Sequence, residues 1–173
     1  MTTDSIIQYL DILKSAFSER ASSAEIFQSD EAPVLLCAVT SPFDENDEIA
    51  YQISLTNVDD GFVAAELIML LFGDISEDKH RDIALLINRL NRFISLGSFR
   101  LFEDNGTVMF YQGMIIDETM QTVKVTELIF RTIHEMEQTA VSLGEFIDRA
   151  ISGEDTQKLL AELQRRLNDE QDI

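Results

Sequence analysis

Apolar residues recur along this chain at two spacings, one helical and one extended, and the alternation between them lays out the elements. Near the start, Ile6, Leu10, Leu13 and Phe17 fall on one stripe at helical period, which predicts a helix over 5–17. Ser5 and Gln8 have the spacing of a capping box at its start. Extended runs follow. The pattern predicts strands over 24–28, 34–40, 49–56 and 62–72, separated by the polar stretches 29–33, 41–48 and 57–61. In the third run Ile49, Tyr51, Ile53 and Leu55 alternate with polar positions, the mark of a strand with one wet face.

Gly73-Asp74-Ile75-Ser76 breaks this series, with Ser76 as the N-cap of a helix. Ile83, Leu86, Ile87, Leu90 and Ile94 form the apolar face of that helix, and Gly97 closes it. A hairpin is expected next, with strands over 99–103 and 107–115 about Asp104-Asn105-Gly106, because Asn-Gly readily takes the positive φ of a tight turn. Thr126 caps a long helix running to 151, and Gly153 stops it. Asp155 then restarts a helix whose stripe is Leu159, Leu160, Leu163 and Leu167. The order is α-β-β-β-β-α-β-β-α-α, an α+β fold with a mostly antiparallel sheet of five to six strands packed with helices. Residues 1–153 read as one domain and 154–173 as an amphipathic helix that docks on its own core or reaches another subunit as an arm.

The fourth strand departs from one-sided patterning. One pleat carries Phe62, Ala64, Glu66, Ile68, Leu70 and Phe72, and the other Val63, Ala65, Leu67, Met69 and Leu71. The hairpin's second strand sets Met109, Tyr111 and Ile115 against Val108, Phe110 and Met114, with Gln112 the polar exception. Residues 34–39 are apolar on both sides as well. An antiparallel sheet with one solvated face alternates apolar and polar residues. Here both faces need cover, from helices of the same chain or from a partner.

Composition narrows the partner. The chain has 173 residues, 45% of them apolar, and 13 Lys and Arg against 32 Asp and Glu give a net charge of −19. Such a surface repels phosphate backbones and anionic lipid, so neither nucleic acid nor a membrane surface is expected as a partner, and basic protein segments are. The first 60 residues, with 12 acidic and 2 basic side chains, are the most negative part. The lone Cys37 lies in an apolar run and reads as a buried thiol in a reducing compartment. The start lacks a signal-peptide pattern and the longest apolar stretch is too short to span a bilayer, which predicts a soluble, cytoplasmic protein.

Catalytic signatures are missing: there is no G-x-S-x-G elbow, no glycine-rich phosphate loop and no H-E-x-x-H. His134 has Gln138 where a second zinc ligand belongs, and His80 among Glu77, Asp78 and Asp82 reads as part of a surface ion network. The acidic stretch 44–48 begins like a calcium loop but has Ile49 where that loop requires glycine. No catalytic, metal or cofactor site is expected, and no cofactor.

Helix residues Ala84-Leu85-Leu86-Ile87-Asn88-Arg89-Leu90-Asn91, then Gly97-Ser98-Phe99, the Asp104-Asn105-Gly106 hairpin and the helix opened by Thr126-Glu127 together resemble the YbjN-like family, which shares its fold with the type III secretion chaperones. That resemblance spans roughly residues 50–150 and implies an acidic, dimerising α/β sandwich on an antiparallel sheet, without enzymatic activity. The secretion chaperones hold an extended client over apolar patches, and the YbjN-like proteins are associated with sensing and stress regulation. The helix beyond Gly153 departs from the family pattern.

The expectation is a non-enzymatic, protein-binding homodimer, chaperone-like or regulatory, whose partner surface includes Phe62, Ile68, Leu70, Phe72, Leu160, Leu163 and Leu167. The competing readings are a small-molecule sensor or enzyme with a pocket between the long helix and the sheet, and a structural homodimer module.

Overall fold

Each strand-like stretch joins its neighbour by a hairpin, with one exception, and that dictates the topology. The computed structural model describes residues 3–18, 20–28, 32–41, 47–59 and 61–171. Helix α1 (Thr3–Phe17) leads into a meander of β1 (Ala21–Gln28), β2 (Pro33–Thr40), β3 (Glu48–Asp59) and β4 (Phe62–Phe72). Helix α2 (Glu77–Leu90) then carries the chain past one strand position, so that β5 (Ser98–Phe102) becomes an edge and β6 (Thr107–Asp117) returns beside β4. The sheet order is β1-β2-β3-β4-β6-β5, antiparallel at every pairing. Helices α3 (Thr122–Ile151) and α4 (Thr156–Gln171) complete the α+β chain in the expected order.

Several local signals work as read. Gly106 takes φ +60° in the β5–β6 turn and Gly153 φ +98° after α3, both in the left-handed region that glycine enters cheaply. Asp155 caps α4, its Oδ1 accepting the Lys158 backbone N–H at 3.0 Å. Other caps shift. Helix α1 begins at Thr3, which places Ser5 inside it. Ser76 occupies the N-cap of α2 but makes no side-chain cap bond. Thr126 lies within α3, its hydroxyl donating to the Thr122 carbonyl, because the helix starts one turn earlier.

One face of the sheet is the core. Leu35 and Cys37 of β2, Tyr51, Ile53 and Leu55 of β3, Val63 to Met69 of β4 and Val108 and Phe110 of β6 are all buried at alternate positions. They pack with Leu10 and Leu13 of α1, Leu86 and Leu90 of α2, and Ile129, Ile133 and Phe146 of α3. Each such side chain stabilises the fold by about 1.5–3 kcal/mol through lost apolar contact with water. Polar clips orient the helices on this layer. The buried Tyr51 hydroxyl donates to Glu137 Oε1 of α3 at 2.8 Å, and Arg20 pairs with the same oxygen at 3.3 Å.

Helix α4 lies on the outside of α2 and α3, with Leu159 and Leu163 buried in the common core and Leu160 packed against it. Of the two readings of this helix, in-chain docking is therefore what the fold adopts. An ion network holds it there: Arg149 of α3 donates to both oxygens of Glu154 at 2.8 Å and to Glu162 of α4 at 2.8 Å, and Arg166 of α4 reaches Glu162 at 2.6 Å and Glu145 of α3 at 3.2 Å.

Candidate interaction surface on the open sheet face

The registers carry the second pleat across all six strands in aligned rows. One row runs Glu25, Leu36, Gln52, Ile68, Tyr111, Ser98. The next runs Ser23, Ala38, Ala50, Leu70, Met109, Arg100. On the other side lie Phe27, Val34, Ser54, Glu66 and Gly113. Among the described residues no helix covers these rows; α1, α2 and α3 pack on the opposite pleat, with α4 outside α2 and α3. The chain's own helices therefore cover one side of the doubly apolar sheet and leave the other open. Phe27, Leu36, Phe62, Leu70 and Ile115 are exposed there, Leu70 at 37% and Ile115 at 61%. An exposed patch of contiguous apolar side chains marks an interaction site more often than an ordinary surface.

Polar groups at the middle of this face are joined to one another. Glu66 is the one acidic residue at its centre. Its Oε1 accepts the Tyr111 hydroxyl at 2.9 Å and its Oε2 lies 3.5 Å from Ser54 Oγ. The Arg100 guanidinium lies over the Tyr111 ring, 3.6 Å from the centroid, a cation–π contact. Loss of hydration and the bond to Glu66 raise the Tyr111 pKa, so the phenol stays a donor at neutral pH. Within the three rows only Glu25, Glu66 and Arg100 carry charge, against −19 for the whole chain.

The expected partner residues divide. Phe62, Ile68 and Leu70 lie on the open face. Phe72 does not: a register shift between Leu70 and Phe72 sets it opposite the buried Val108, and it packs against the core. A bulge reverses the pleat beyond it, which strict alternation does not anticipate. Leu160 and Leu163 belong to the interface between α4 and its own chain. The Leu167 side chain lies outside the described residues. Sequence reasoning passed over the Glu66–Tyr111–Arg100 cluster; its signal was one carboxylate on an otherwise apolar pleat.

The remaining candidates resolve as structure. Cys37 is buried, and loss of hydration pushes its thiol up to about 11, so it is not a nucleophile at neutral pH. His80 is buried instead of joining a surface network, its Nε2–H donating to the Ile75 carbonyl at 2.9 Å. His134 is a surface residue 3.9 Å from Glu137. The acidic stretch that resembled a calcium loop lies mostly outside the described residues, and among those described no three His, Cys, Asp or Glu side chains gather as a metal site. No helix among them is long and apolar enough to cross a membrane. A cleft of about 670 Å³ opens between the 93–96 segment, α3 and α4, and Gln112 is among the residues that line it. The buried Gln112 Oε1 has no hydrogen-bond partner among the described residues.

No protein-family model matches this chain, and no curated protein does. Among solved structures, an uncharacterized protein from Methanothermobacter thermautotrophicus aligns over 83% of this chain and 99% of its own, at 12% identity and a TM-score of 0.46.

Proposed function

We propose that this protein is a non-enzymatic protein-binding module, chaperone-like or regulatory, which engages partner protein through the open face of its sheet. The observation that supports this reading is the row pattern: apolar side chains from successive strands lie side by side facing outward, with no helix over them among the described residues. Covering that surface releases water at roughly 25 cal/mol per Å² of apolar area. The acidic remainder of the surface favours partners carrying basic residues and disfavours nucleic acid. The likeness to YbjN-like proteins and secretion chaperones accords with a cytoplasmic role of this kind.

The test is binding of an environment-sensitive apolar dye, and of extended peptides alternating apolar with basic residues, by the wild type and by Ile68→Asp and Leu70→Asp. Binding by the wild type that both variants lose supports the reading. A wild type that binds neither, or variants that bind equally well, overturns it.

A second reading, a small-molecule sensor, is favoured by the cleft at Gln112, whose orphaned carbonyl oxygen suits a ligand bearing a donor. Under that reading the Gln112→Leu variant loses ligand response while the sheet-face variants keep it.

A further inference from the structure

The polar lining of the cleft between the 93–96 segment, α3 and α4 consists almost entirely of acceptors. Thr132, Glu135, Thr139, Ser142 and Glu145 recur along one face of α3, a row about 20 Å long at roughly 1.5 Å per residue. The hydroxyls of this row turn their protons inward. Thr132 donates to the Leu128 carbonyl at 2.9 Å, Thr139 to the Glu135 carbonyl at 2.9 Å and Ser142 to the Thr139 carbonyl at 3.1 Å. Each therefore has only lone pairs left to offer. Gln112 adds another acceptor. Its Nε2 donates to the Gly113 carbonyl at 2.7 Å, and the buried Oε1 has no donor among the described residues. A buried acceptor in that state costs stability until a donor reaches it.

Charge points the same way. Of the two carboxylates in the lining, Glu145 is committed to Arg149 at 3.4 Å and to Arg166 at 3.2 Å. Glu135 is held only by Arg131, through one oxygen at 3.2 Å, and both side chains are open to water, so that pair is weak. Arg166, the basic residue of the lining, is itself committed to Glu145 and to Glu162 at 2.6 Å. Apolar side chains make up the rest: Phe93, Leu96 and Val141 line the cleft and are exposed.

We infer that this cleft binds a small organic cation, a primary ammonium carried on a linear apolar chain. This rests on the reading of the cleft as a small-molecule site and names the class of ligand. The ammonium lies against Glu135 and the hydroxyl row, and the chain lies on Phe93 and Leu96. A primary ammonium has three donors and no acceptor, the inverse of a lining rich in unused lone pairs. A carboxylate or phosphate would set lone pairs against lone pairs in a chain whose net charge is already −19. An alcohol of equal length supplies one donor and no charge. The volume of about 670 Å³ lies within the range of small-molecule sites.

The test is titration of the isotope-labelled full chain with hexylammonium, hexanol and hexanoate at equal ionic strength, followed by amide NMR shifts. Hexylammonium should move the amides of 93–96, 112 and 132–146 and bind at least tenfold more tightly than hexanol, and hexanoate should move none of them. Glu135→Gln should weaken hexylammonium binding by about tenfold, the loss of one charged hydrogen bond. Arg131→Gln frees Glu135 and should tighten it. Glu103→Gln removes the same charge from the β5–β6 turn and should leave the affinity unchanged. Glu103, Arg131 and Glu135 are exposed, so all three variants should keep the circular dichroism spectrum of the wild type. Equal losses from Glu103→Gln and Glu135→Gln would reduce the effect to general attraction by an acidic protein and overturn the site. Hexanol that binds at the same residues as tightly as hexylammonium overturns the cationic ligand while leaving the cleft a small-molecule site. No shift at the cleft from any of the three overturns the inference and that reading together.

Discussion

The side-chain amide of Asn91 grips the backbone of Phe99 on both sides: its Oδ1 accepts the Phe99 N–H at 2.8 Å and its Nδ2 donates to the Phe99 carbonyl at 2.9 Å. Phe99 sits in β5, an edge of the sheet, and the amide stands where a seventh strand would pair. An unpaired edge is a template for unwanted strand addition. Asn91, at the end of α2, both occupies that edge and ties the helix to it. Asn91→Ala should cost about 1–3 kcal/mol in denaturant unfolding, since two backbone groups lose their partner. Amide exchange at Phe99 should accelerate selectively; unchanged protection there would show that the grip does not hold in solution.

Gly106 combines a positive φ with lack of space. A β-carbon there meets the Ile75 backbone, whose N–H donates to the Gly106 carbonyl at 3.0 Å. Gly61 has φ +93° but open space around it. Ala at either position carries backbone strain of about 1 kcal/mol, and only Gly106→Ala adds a clash with immovable backbone. Thermal melts of the two variants should therefore separate, with Gly106→Ala the lower. Equal melting temperatures would contradict the close approach of the hairpin turn to the 73–76 segment.

The pairing with Arg149, and then with Arg166, holds the Glu162 carboxyl down to about 2, and Arg149 also lowers Glu154. A carboxylate whose pKa is lower folded than unfolded contributes stability above its unfolded pKa and loses it as pH falls through the folded one. The network on α4 is thus in force at neutral pH and fades from about pH 4.5 down to about 2. Glu162→Gln should be less stable than wild type at pH 6, and the gap should close across that window. A gap that is constant with pH would mean the carboxylate's charge is not what docks the helix.

Burial of Cys37 in the middle of β2, with its thiol pushed up to about 11, predicts slow reaction with a thiol reagent at pH 8. Labelling should proceed at the rate of opening of the sheet and become immediate in denaturant. Fast labelling of the native protein would place Cys37 at a surface.

Much of this architecture is local, and local features are legible. Alternation at period two in 62–70 and 108–116 assigned nearly every side chain to its pleat, because neighbouring residues of a strand point to opposite faces. Asn105-Gly106 marked its hairpin through backbone conformation alone. Phe72 escaped because a bulge depends on how β4 meets β6. The cluster of Glu66, Tyr111 and Arg100 escaped for the same reason: its members are 34 and 45 positions from Glu66 along the chain and meet only through strand register. Arg149 and Glu162 likewise find each other only once α4 folds back on α3.

Taken alone, the amino-acid order determined which segments are helical or extended, which of their sides are apolar, and that the sheet is greasy on both faces, since these follow from the geometry of successive residues. Which face the first three helices cover, where the last helix docks and how the rows align across strands were decided in three dimensions. An amphipathic stripe requires burial but does not specify against what; long-range packing makes that choice.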